Sequence, residues 1–518
     1  MRQCLSDYIW SSYCRYKRFA VQDVRNPAGE VTRGYWALFA ILQCFNFYQI
    51  LTHAMWRDEL QTWSLVRESG TLLELFHNMR YDGFPPLWYL ALWFISKASA
   101  SPLAMQLFHF ICSFAAQLLV MTRAPFSVKM RLAIVAGYYI SFEYCLISRA
   151  YVLGVLLIFL YCSYRSQLAN RPVLRAVIWG ALANTSVYGA ILSLAFVTDE
   201  LVMFVKGLRE ALDSRGRKAI DLAGFLAVYG GLLAIAVAFM LSPADGNFSE
   251  GWRLHPDLNE LIYEFCRNLV FLVPVPLARP TFWNTLALTD FSGFSRWMII
   301  PSALVIMSAV WLALRPSQRY LRLFMLGFGG IWIFTVVKYY GFVRHVGTEV
   351  ILFLACVWLA ADERSTSWPV ASRGSQWAIW CILAVNLLAW GMASIYHLRY
   401  DFSGSVEMAR VIRGMGSNPP PIVADADNAA SSVAGYLNMP LHYVSNRRQQ
   451  TYIRWNRERT GGGSGDALDL ARDLVAGGDP RVLLLLNYPL EGERARFLAR
   501  TRDAIVGDET FYLYEYVK

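Results

Sequence analysis

The stretch GYWALFAILQCFNFYQILTHAMWRDELQTW, residues 34–63, decides how the chain folds. Its first part, 34–53, is the first apolar run and has the length of about 20 residues that a membrane-spanning helix needs. A basic segment precedes this run, and no small-residue cleavage site follows it. We therefore interpret the run as a retained membrane anchor and not as a signal peptide. Two carboxylates, Asp58 and Glu59, come shortly after it.

Composition extends this interpretation to the whole chain. Of the 518 residues, 56% are hydrophobic and 17% are charged, whereas soluble domains carry about 25% charged residues. Such an excess of apolar side chains indicates that many of them contact lipid. The net charge of +10 comes from basic residues that fall mostly between apolar runs, a pattern typical of membrane topology and not of nucleic-acid binding. Nine cysteines without a CxxC pair argue against a disulfide framework and a zinc–thiolate site.

The apolar runs predict a polytopic α-helical membrane protein with about eleven transmembrane helices. Lys and Arg are concentrated in alternate segments, beginning with the N-terminal one, so we place the N-terminus in the cytoplasm. The apolar stretch Pro85–Lys97 is short for a span, and we interpret it as a re-entrant or interfacial helix on the outer side. The predicted spans are 34–53, 102–122, 130–147, 148–164, 173–187, 188–206, 219–241, 296–314, 320–338, 345–361 and 376–395.

The predicted organisation has three parts: a cytoplasmic segment at 1–33, a transmembrane domain at 34–395 with long outer loops at 54–101 and 243–295, and an extracytoplasmic tail at 396–518. An odd number of spans places the tail outside. Strand-like and helical patterns alternate along the tail, which is typical of a small α/β domain, and it has no GxGxxG dinucleotide motif. The predicted strands are 422–425, 441–444, 482–488 and 510–517, and the predicted helices are 428–437, 466–476 and 491–503.

Three outer segments carry residues that are able to do chemistry. The first holds Asp58 and Glu59 and, further along, the sequence RYDGFPPLWY at 80–89. The second is EYCLISRAY at 143–151, and the third is KYYGFVRH at 338–345. Ionisable residues in or beside spans are functional candidates. Solvated interface carboxylates, a structural ion pair between helices and snorkelling basic side chains are the ordinary alternatives.

The order and spacing of these motifs resemble the GT-C superfamily of membrane glycosyltransferases, most closely its protein O-mannosyltransferase and aminoarabinose-transferase branches. In that family an Asp-Glu motif follows the first span, and a Pro-Pro-Leu-x-Tyr segment follows a few tens of residues later. The resemblance covers the layout of residues 34–360, and the tail is similar to the outer domain that many members carry. One departure is Phe84, where many relatives have a histidine before the two prolines.

The resemblance implies a hexosyl- or pentosyltransferase that uses a polyprenyl-phosphate-linked sugar and an acceptor hydroxyl at the outer face. A single displacement would invert the anomeric carbon, with Asp58 as base, and the phosphate leaving group would need cationic hydrogen-bond donors. A divalent metal such as Mg or Mn near Asp58 and Glu143 is compatible with their chemistry, but no ligand spacing demands it. We expect catalytic roles for Asp58, Glu59 and Glu143, and substrate-binding roles for Arg57, Tyr89, Arg149, Tyr151, Lys338, Arg344 and His345. The last of these is alternatively a helix-start residue.

Two other functions stay open at this point. A transporter or flippase for a lipid-linked sugar would use the same basic groove without breaking a bond, although we find no inverted repeats of the kind that many transporters have. A non-catalytic scaffold of an envelope-polysaccharide assembly complex is kept open by the Phe84 departure. The resemblance implies a bacterial inner membrane with the tail in the periplasm, a lipid bilayer as surroundings and no nucleic-acid partner. The acceptor is a glycan, a lipid or a protein, and we expect loop 243–295 and the tail to shape its site.

Overall fold

The computed structural model describes residues 28–210, 215–247, 252–290, 298–363, 373–416, 418–491 and 495–517. The predicted segment 1–33 lies outside the described residues up to residue 27. The helices of the membrane domain are α1 (Ala28–Thr52), α2 (Arg57–Glu68), α3 (Leu72–Met79), α4 (Leu87–Ala98), α5 (Leu103–Arg123), α6 (Val128–Val135), α7 (Tyr144–Leu146), α8 (Tyr151–Leu168), α9 (Pro172–Ala183), α10 (Val187–Glu210), α11 (Arg215–Met240), α12 (Leu258–Val270), α13 (Ala287–Asp290), α14 (Ile299–Leu314), α15 (Gln318–Val337), α16 (Val343–Val346), α17 (Thr348–Glu363) and α18 (Arg373–Arg399).

Seven helical segments among the described residues are long and apolar enough to cross a membrane: α5, α8, α10, α11, α15, α18 and the continuous segment of α16 and α17. The fold is therefore that of a multi-pass helical membrane protein, as predicted. Each of the eleven predicted spans coincides mainly with helix, while the number of crossings beyond these seven stays a prediction. The predicted short outer helix is α4, whose twelve residues are too few for a span.

One predicted span, 130–147, is not a continuous helix. After α6 ends at Val135, a π-helix covers Tyr139–Glu143, and α7 then ends at Leu146. A π-helix changes the direction of its side chains relative to a regular helix and is frequent at functional sites. Here it carries Glu143, one of the predicted site residues.

The centre of the membrane domain is α17, whose residues Thr348–Ala361 are all buried. Aromatic side chains from neighbouring helices pack on it, including Phe159 against Trp358 and Phe324 against Phe353. By contrast, only 17% of the apolar window of α11 is buried. Since a helix that is apolar all round needs protein or lipid on every side, α17 is a core helix and α11 is a lipid-facing one.

The tail adds α19 (Ser405–Arg413), α20 (Asp427–Leu437) and α21 (Ser464–Ala476) to a six-stranded mixed sheet in the order β3-β2-β1-β4-β6-β5. The strands are β1 (Ile422–Ala424), β2 (Leu441–Tyr443), β3 (Arg448–Gln450), β4 (Arg481–Leu486), β5 (Arg496–Arg500) and β6 (Tyr512–Val517). β1 pairs in parallel with β2 and β4, whereas β6 pairs antiparallel with β4 and β5. The predicted small α/β fold is confirmed.

The four predicted strands and two of the three predicted helices of the tail are present. The predicted helix 491–503 is wrong. Residues 492–494 lie outside the described residues, and 496–500 form strand β5, because pairing with β6 overrides the local helical pattern. Helix α19 and strand β3 were not predicted.

The tail packs directly on α2, the helix that carries the Asp-Glu pair. Gly435 of α20 approaches α2 so closely that a Cβ there would lie 2.8 Å from the Leu60 Cβ. Ile453 donates its N–H to Gln61 Oε1 at 2.8 Å and accepts from Gln61 Nε2 at 2.7 Å through its carbonyl oxygen. The tail therefore forms one wall of the region around α2.

Candidate functional site

The site is built at the N-terminus of α2. Trp56 is the N-cap residue, and Asp58 and Glu59 lie in the first turn, where the helix dipole favours carboxylates. Glu59 Oε2 accepts the Trp56 N–H at 3.2 Å, as in one half of a capping box. Because successive helical residues point about 100° apart, the two carboxylates have different surroundings. The Glu59 side chain is wholly buried, and the Asp58 side chain is 29% exposed.

Glu59 connects several segments of the chain through hydrogen bonds. Its Oε1 accepts the Ser148 N–H at 2.6 Å, and its Oε2 lies 3.0 Å from His53 Nε2. The other ring nitrogen of His53 lies 3.4 Å from His397 Nε2. These contacts hold the C-terminal end of α1, the start of α2, the loop before α8 and the end of α18 in one arrangement. The catalytic role expected for Glu59 stays a prediction, and its contacts are those of a residue that positions its neighbours.

Two arginines from distant parts of the sequence face Asp58. Arg344 Nη2 lies 3.3 Å from Asp58 Oδ2, and Arg149 Nη1 lies 3.8 Å from the same oxygen. Arg149 also donates to the backbone carbonyl oxygen of Asp58 at 2.5 Å. The fold thus brings together one residue from each of the three predicted motifs, and it does so around a carboxylate that solvent can reach.

The unusual Phe84 supports Arg149. The Arg149 guanidinium carbon lies 5.1 Å from the centroid of the Phe84 ring. The face of an aromatic ring attracts a cation through its quadrupole, so phenylalanine holds this guanidinium without adding the positive charge that a protonated histidine would bring. The departure from the family pattern therefore has a structural role next to the candidate site.

Arg344 lies against two tryptophan rings that contact each other edge to face. Its guanidinium carbon lies 5.1 Å from the centroids of both Trp56 and Trp283, and the residue is 8% exposed. While Nη2 faces Asp58, the buried Nε and Nη1 have no hydrogen-bond partner among the described residues. Buried donors without acceptors are unfavourable, and an anion such as phosphate supplies acceptors for charge-assisted hydrogen bonds.

Glu143 is buried in the π-helix, where the Tyr138 hydroxyl donates to its Oε2 at 2.9 Å. An ion pair between Glu143 and Arg149, the structural alternative for this motif, is not formed, and Arg149 instead faces Asp58. The role expected for Glu143 in orienting an acceptor stays a prediction.

His345 is a helix-start residue. Its Nδ1 accepts the Phe342 N–H at 3.1 Å at the beginning of α16. The buried imidazole stacks on the Tyr188 ring at 5.2 Å, and the Tyr151 ring lies 6.0 Å away. These packing contacts account for the positions of His345 and Tyr151, and their expected contacts with substrate stay predictions.

Two other residues expected to bind substrate make contacts elsewhere. Arg57 Nη1 pairs with Asp508 Oδ2 of the tail at 2.5 Å. Lys338 Nζ, at the end of α15, lies 5.2 Å from the centroid of the Trp252 ring. Arg57 therefore connects α2 to the tail, and Lys338 packs against the segment before α12. Direct roles of either residue at a phosphate stay predictions.

The residues around Asp58 do not fit a divalent metal. In the parts of the chain that the structure describes, no group of three or more His, Cys, Asp or Glu side chains has the geometry of a metal site. Asp58 faces two guanidinium groups, which repel a cation, whereas Mg²⁺ needs an octahedral set of oxygen ligands. A metal therefore has no part in the steps that we propose.

A cavity of about 290 Å³ lies beside Arg344. Loop 243–295 and the tail, which we expect from the sequence to shape the acceptor site, both contribute to its wall. The wall combines aromatic faces with polar and charged groups, which is the usual composition of a small-molecule site. Residues that line it include Trp56, Trp283, Asn284, Phe342, Arg344 and Asp508.

Sequence reasoning missed another carboxylate, Asp82, which lies in the loop after α3. Asp82 accepts from the Tyr89 hydroxyl at 2.8 Å and from Gln61 Nε2 at 3.2 Å, and it is 6% exposed. Burial raises the pKa of Asp82 to about 6, although these hydrogen bonds and the Arg149 charge act in the opposite direction. Tyr89, expected to bind substrate, thus holds Asp82. The sequence signal that could have identified Asp82 was its position within the motif at residues 80–89.

We expect the thermal stability of the protein to fall as the pH rises from about 4 to about 6, in part because of Asp82. The pKa of Asp82 is about 6 in the folded protein and 3.8 ordinarily. In this window the folded state keeps a proton that the unfolded state releases, so unfolding becomes easier as pH rises. The midpoint of thermal unfolding in detergent should therefore vary less with pH in Asp82→Asn than in wild type.

The control for this prediction is Asp473→Asn, because Asp473 is 61% exposed in a surface pair with Arg447. This variant should keep the wild-type dependence on pH. Identical pH dependence in wild type and Asp82→Asn would contradict the raised pKa of Asp82.

The fold is GT-C-like, as the resemblance implied. It is similar to two crystal structures of ArnT, a GT-C aminoarabinose transferase, from Cupriavidus metallidurans. The apo structure has a TM-score of 0.55 and 13% identity, with 95% of this chain and 98% of that chain covered. The structure bound to undecaprenyl phosphate has a TM-score of 0.51 and 12% identity, with 93% and 98% covered. No protein-family model and no curated protein matches the sequence.

Proposed function

We propose that the protein is a glycosyltransferase that moves a sugar from a polyprenyl-phosphate donor to an acceptor hydroxyl at the outer membrane face. The observation that carries this proposal is the partly exposed Asp58 carboxylate, which faces Arg344 and Arg149 within a GT-C fold. The reaction needs a base beside a phosphate-binding group, because one oxygen loses a proton while another gains negative charge.

In the proposed step, the acceptor oxygen attacks the anomeric carbon while the Asp58 carboxylate takes the proton of the hydroxyl. The bond between the anomeric carbon and the phosphate oxygen breaks, and its electron pair leaves with polyprenyl phosphate. A single displacement inverts the anomeric carbon. Arg344 and Arg149 donate hydrogen bonds to the departing phosphate and offset its growing charge. Because phosphate is already a good leaving group, no general acid is required.

The likeness to ArnT supports a lipid-linked donor. One of the ArnT structures contains undecaprenyl phosphate, and the unused Nε and Nη1 donors of Arg344 suit a phosphate group. We also propose the bacterial inner membrane as the location, with the N-terminus in the cytoplasm and the tail in the periplasm. The distribution of Lys and Arg supports this orientation.

The cavity beside Arg344 is our proposed site for the acceptor. The rings of Trp56 and Trp283 offer flat apolar faces, and Asn284 and Asp508 offer hydrogen-bonding groups. Aromatic faces together with polar and charged groups fix the orientation of a bound molecule. The proposal leaves open whether the acceptor hydroxyl belongs to a glycan, a lipid or a protein.

Transfer is distinguished from transport and scaffolding by reconstituting the protein in proteoliposomes. The donors are polyprenyl-phosphate-linked pentoses, hexoses and amino sugars, with and without crude envelope acceptors. Transfer predicts acceptor-dependent release of free polyprenyl phosphate, and the donor that supports release identifies the sugar. Movement of an intact lipid-linked sugar across the bilayer, measured by its protection from an impermeant oxidant, would support a flippase instead. A bound donor that is neither cleaved nor moved would support a scaffold.

A further inference from the structure

The chain that leads into α2 is held by side chains of the tail. At Met55, the backbone N–H donates to the Tyr436 hydroxyl oxygen at 2.8 Å, and the carbonyl oxygen accepts from the Ser405 hydroxyl at 2.9 Å. Tyr436 belongs to α20 and Ser405 begins α19. Two elements of the tail therefore fix the backbone three residues before Asp58.

A third element of the tail fixes the residue directly before Asp58. The Arg57 N–H donates to Glu509 Oε1 at 3.0 Å, and the Arg57 guanidinium pairs with Asp508. Glu509 is wholly buried and ends a short 3₁₀-helix, Gly507–Glu509. Its second oxygen lies within hydrogen-bond distance of the Ser403 hydroxyl, which holds the side chain in place.

The contact at Arg57 is a helix cap supplied from far along the sequence. The first N–H groups of a helix have no acceptor within the helix, and the N-cap residue Trp56 has no side-chain oxygen to provide one. Glu509, 452 residues away in the sequence, provides it. The direction of the Asp58 side chain depends on the backbone that this contact fixes.

We propose that Glu509 is a positioning residue through which the C-terminal tail sets the orientation of Asp58. The relevance of this orientation to sugar transfer rests on the proposed function, whereas the capping of α2 does not. The tail then contributes both a cap for α2 and part of the cavity wall, because the turn that caps α2 also places Asp508 in that wall.

Two substitutions distinguish the effect of the length of the Glu509 side chain from the effect of its charge. Burial raises the pKa of Glu509 to about 8, opposed by Arg57 and by hydrogen bonds from Ser403 and the Arg57 N–H. At neutral pH the side chain therefore holds a proton and keeps one oxygen as acceptor, an arrangement that glutamine reproduces. Aspartate keeps a carboxyl group but is shorter by one carbon–carbon bond of about 1.5 Å, which moves the acceptor away from the Arg57 N–H.

Hydrogen exchange of the full-length protein in detergent, without substrate, tests the cap. We expect faster deuterium uptake across 54–61 in Glu509→Asp and wild-type uptake in Glu509→Gln. In the transfer assay we expect Glu509→Asp to lower kcat on the order of 10- to 100-fold with little change in the donor KM, because a small displacement of a reacting group costs about this much. Glu509→Gln should stay within about twofold of wild type for both quantities.

The matched control is Glu458→Asp, because Glu458 is 49% exposed in a surface pair with Arg448; it should change neither readout. Tyr436→Phe removes only the hydroxyl that accepts the Met55 N–H, and it should raise exchange at 54–61 even if Glu509→Asp does not fold. Unchanged exchange in a folded Glu509→Asp overturns the proposal, as does an equal loss in Glu509→Gln and Glu509→Asp. If Glu509→Asp does not fold, unchanged exchange in Tyr436→Phe overturns it. Failure of wild type to release polyprenyl phosphate would refute the transfer reaction and leave the exchange result standing.

Discussion

Asp58→Asn is expected to lower the rate of sugar transfer by roughly 10²- to 10⁴-fold, the usual contribution of a positioned general base. Asparagine keeps the size of the side chain and a hydrogen-bond acceptor toward Arg344 and Arg149, so the surrounding structure should persist. Asparagine does not take up the proton of the hydroxyl group that receives the sugar. The affinity for polyprenyl phosphate should be retained or increased, because the substitution removes a negative charge beside the guanidinium groups that we assign to the phosphate.

The measurement is release of polyprenyl phosphate under single-turnover conditions, together with direct binding of the lipid. Asp473→Asn, the same change at a surface ion pair, should behave as wild type. Equal release by wild type and Asp58→Asn would remove Asp58 from the chemistry, and Glu143 would then be the next candidate. Loss of lipid binding together with activity would mean that the residue maintains the site and does not act as base.

Arg344→Lys is expected to weaken binding of polyprenyl phosphate about 10- to 100-fold, although the charge is conserved. The Arg344 guanidinium carbon lies 5.1 Å from the ring centroids of both Trp56 and Trp283, and its Nε and Nη1 donors are unused. Lysine carries a compact charge on a flexible stem, and it does not reproduce either the contacts with both rings or the separate hydrogen-bond donors of the guanidinium. Loss of one or two charge-assisted hydrogen bonds, each about 1.5–3 kcal/mol, accounts for an effect of this size.

Binding is measured with the lipid in nanodiscs, and thermal unfolding establishes that the variant is folded. Arg447→Lys is the matched control, because Arg447 is 59% exposed and pairs with Asp473 at the surface. Wild-type affinity in Arg344→Lys would contradict the assignment of Arg344 to the phosphate. In that case Lys338, which the sequence analysis proposed for the same task, would become the stronger candidate.

The membrane domain could be predicted because lipid imposes a simple rule on sequence. Each span needs about 20 apolar residues, and every predicted run coincides mainly with helix. The break in 130–147 could not be predicted, since a π-helix at Tyr139–Glu143 depends on packing around it and leaves the run just as apolar. Strand β5 was missed for a similar reason, because its pairing with β6 is a non-local contact that helical periodicity does not reveal.

The candidate site was predictable as a set of residues but not as an arrangement. Asp58 and Arg344 could each be recognised at the end of a span, yet their contact joins positions 286 residues apart. The different environments of Asp58 and Glu59 had a local signal that was not used. Glu59 lies three residues after the N-cap, where a capping-box carboxylate turns back toward the backbone.

Other parts of the site had no signal in the sequence. Trp283 lies in an irregular segment between α12 and α13, where a single tryptophan has no periodic pattern around it, and only the fold places its ring on Arg344. The cap that Glu509 supplies to α2 depends on docking of the tail, and no local motif encodes a contact between residues so far apart.

The central claim is most directly tested by the product of wild-type turnover with one defined donor. With a polyprenyl-phosphate sugar of known anomeric configuration and the acceptor found in the proteoliposome panel, NMR of the purified product reports the new glycosidic bond while free polyprenyl phosphate is quantified. The account predicts one polyprenyl phosphate released per sugar transferred, and an inverted anomeric carbon. A retained configuration would contradict the single displacement with Asp58 as base, and an intact donor in the presence of its acceptor would contradict glycosyl transfer itself.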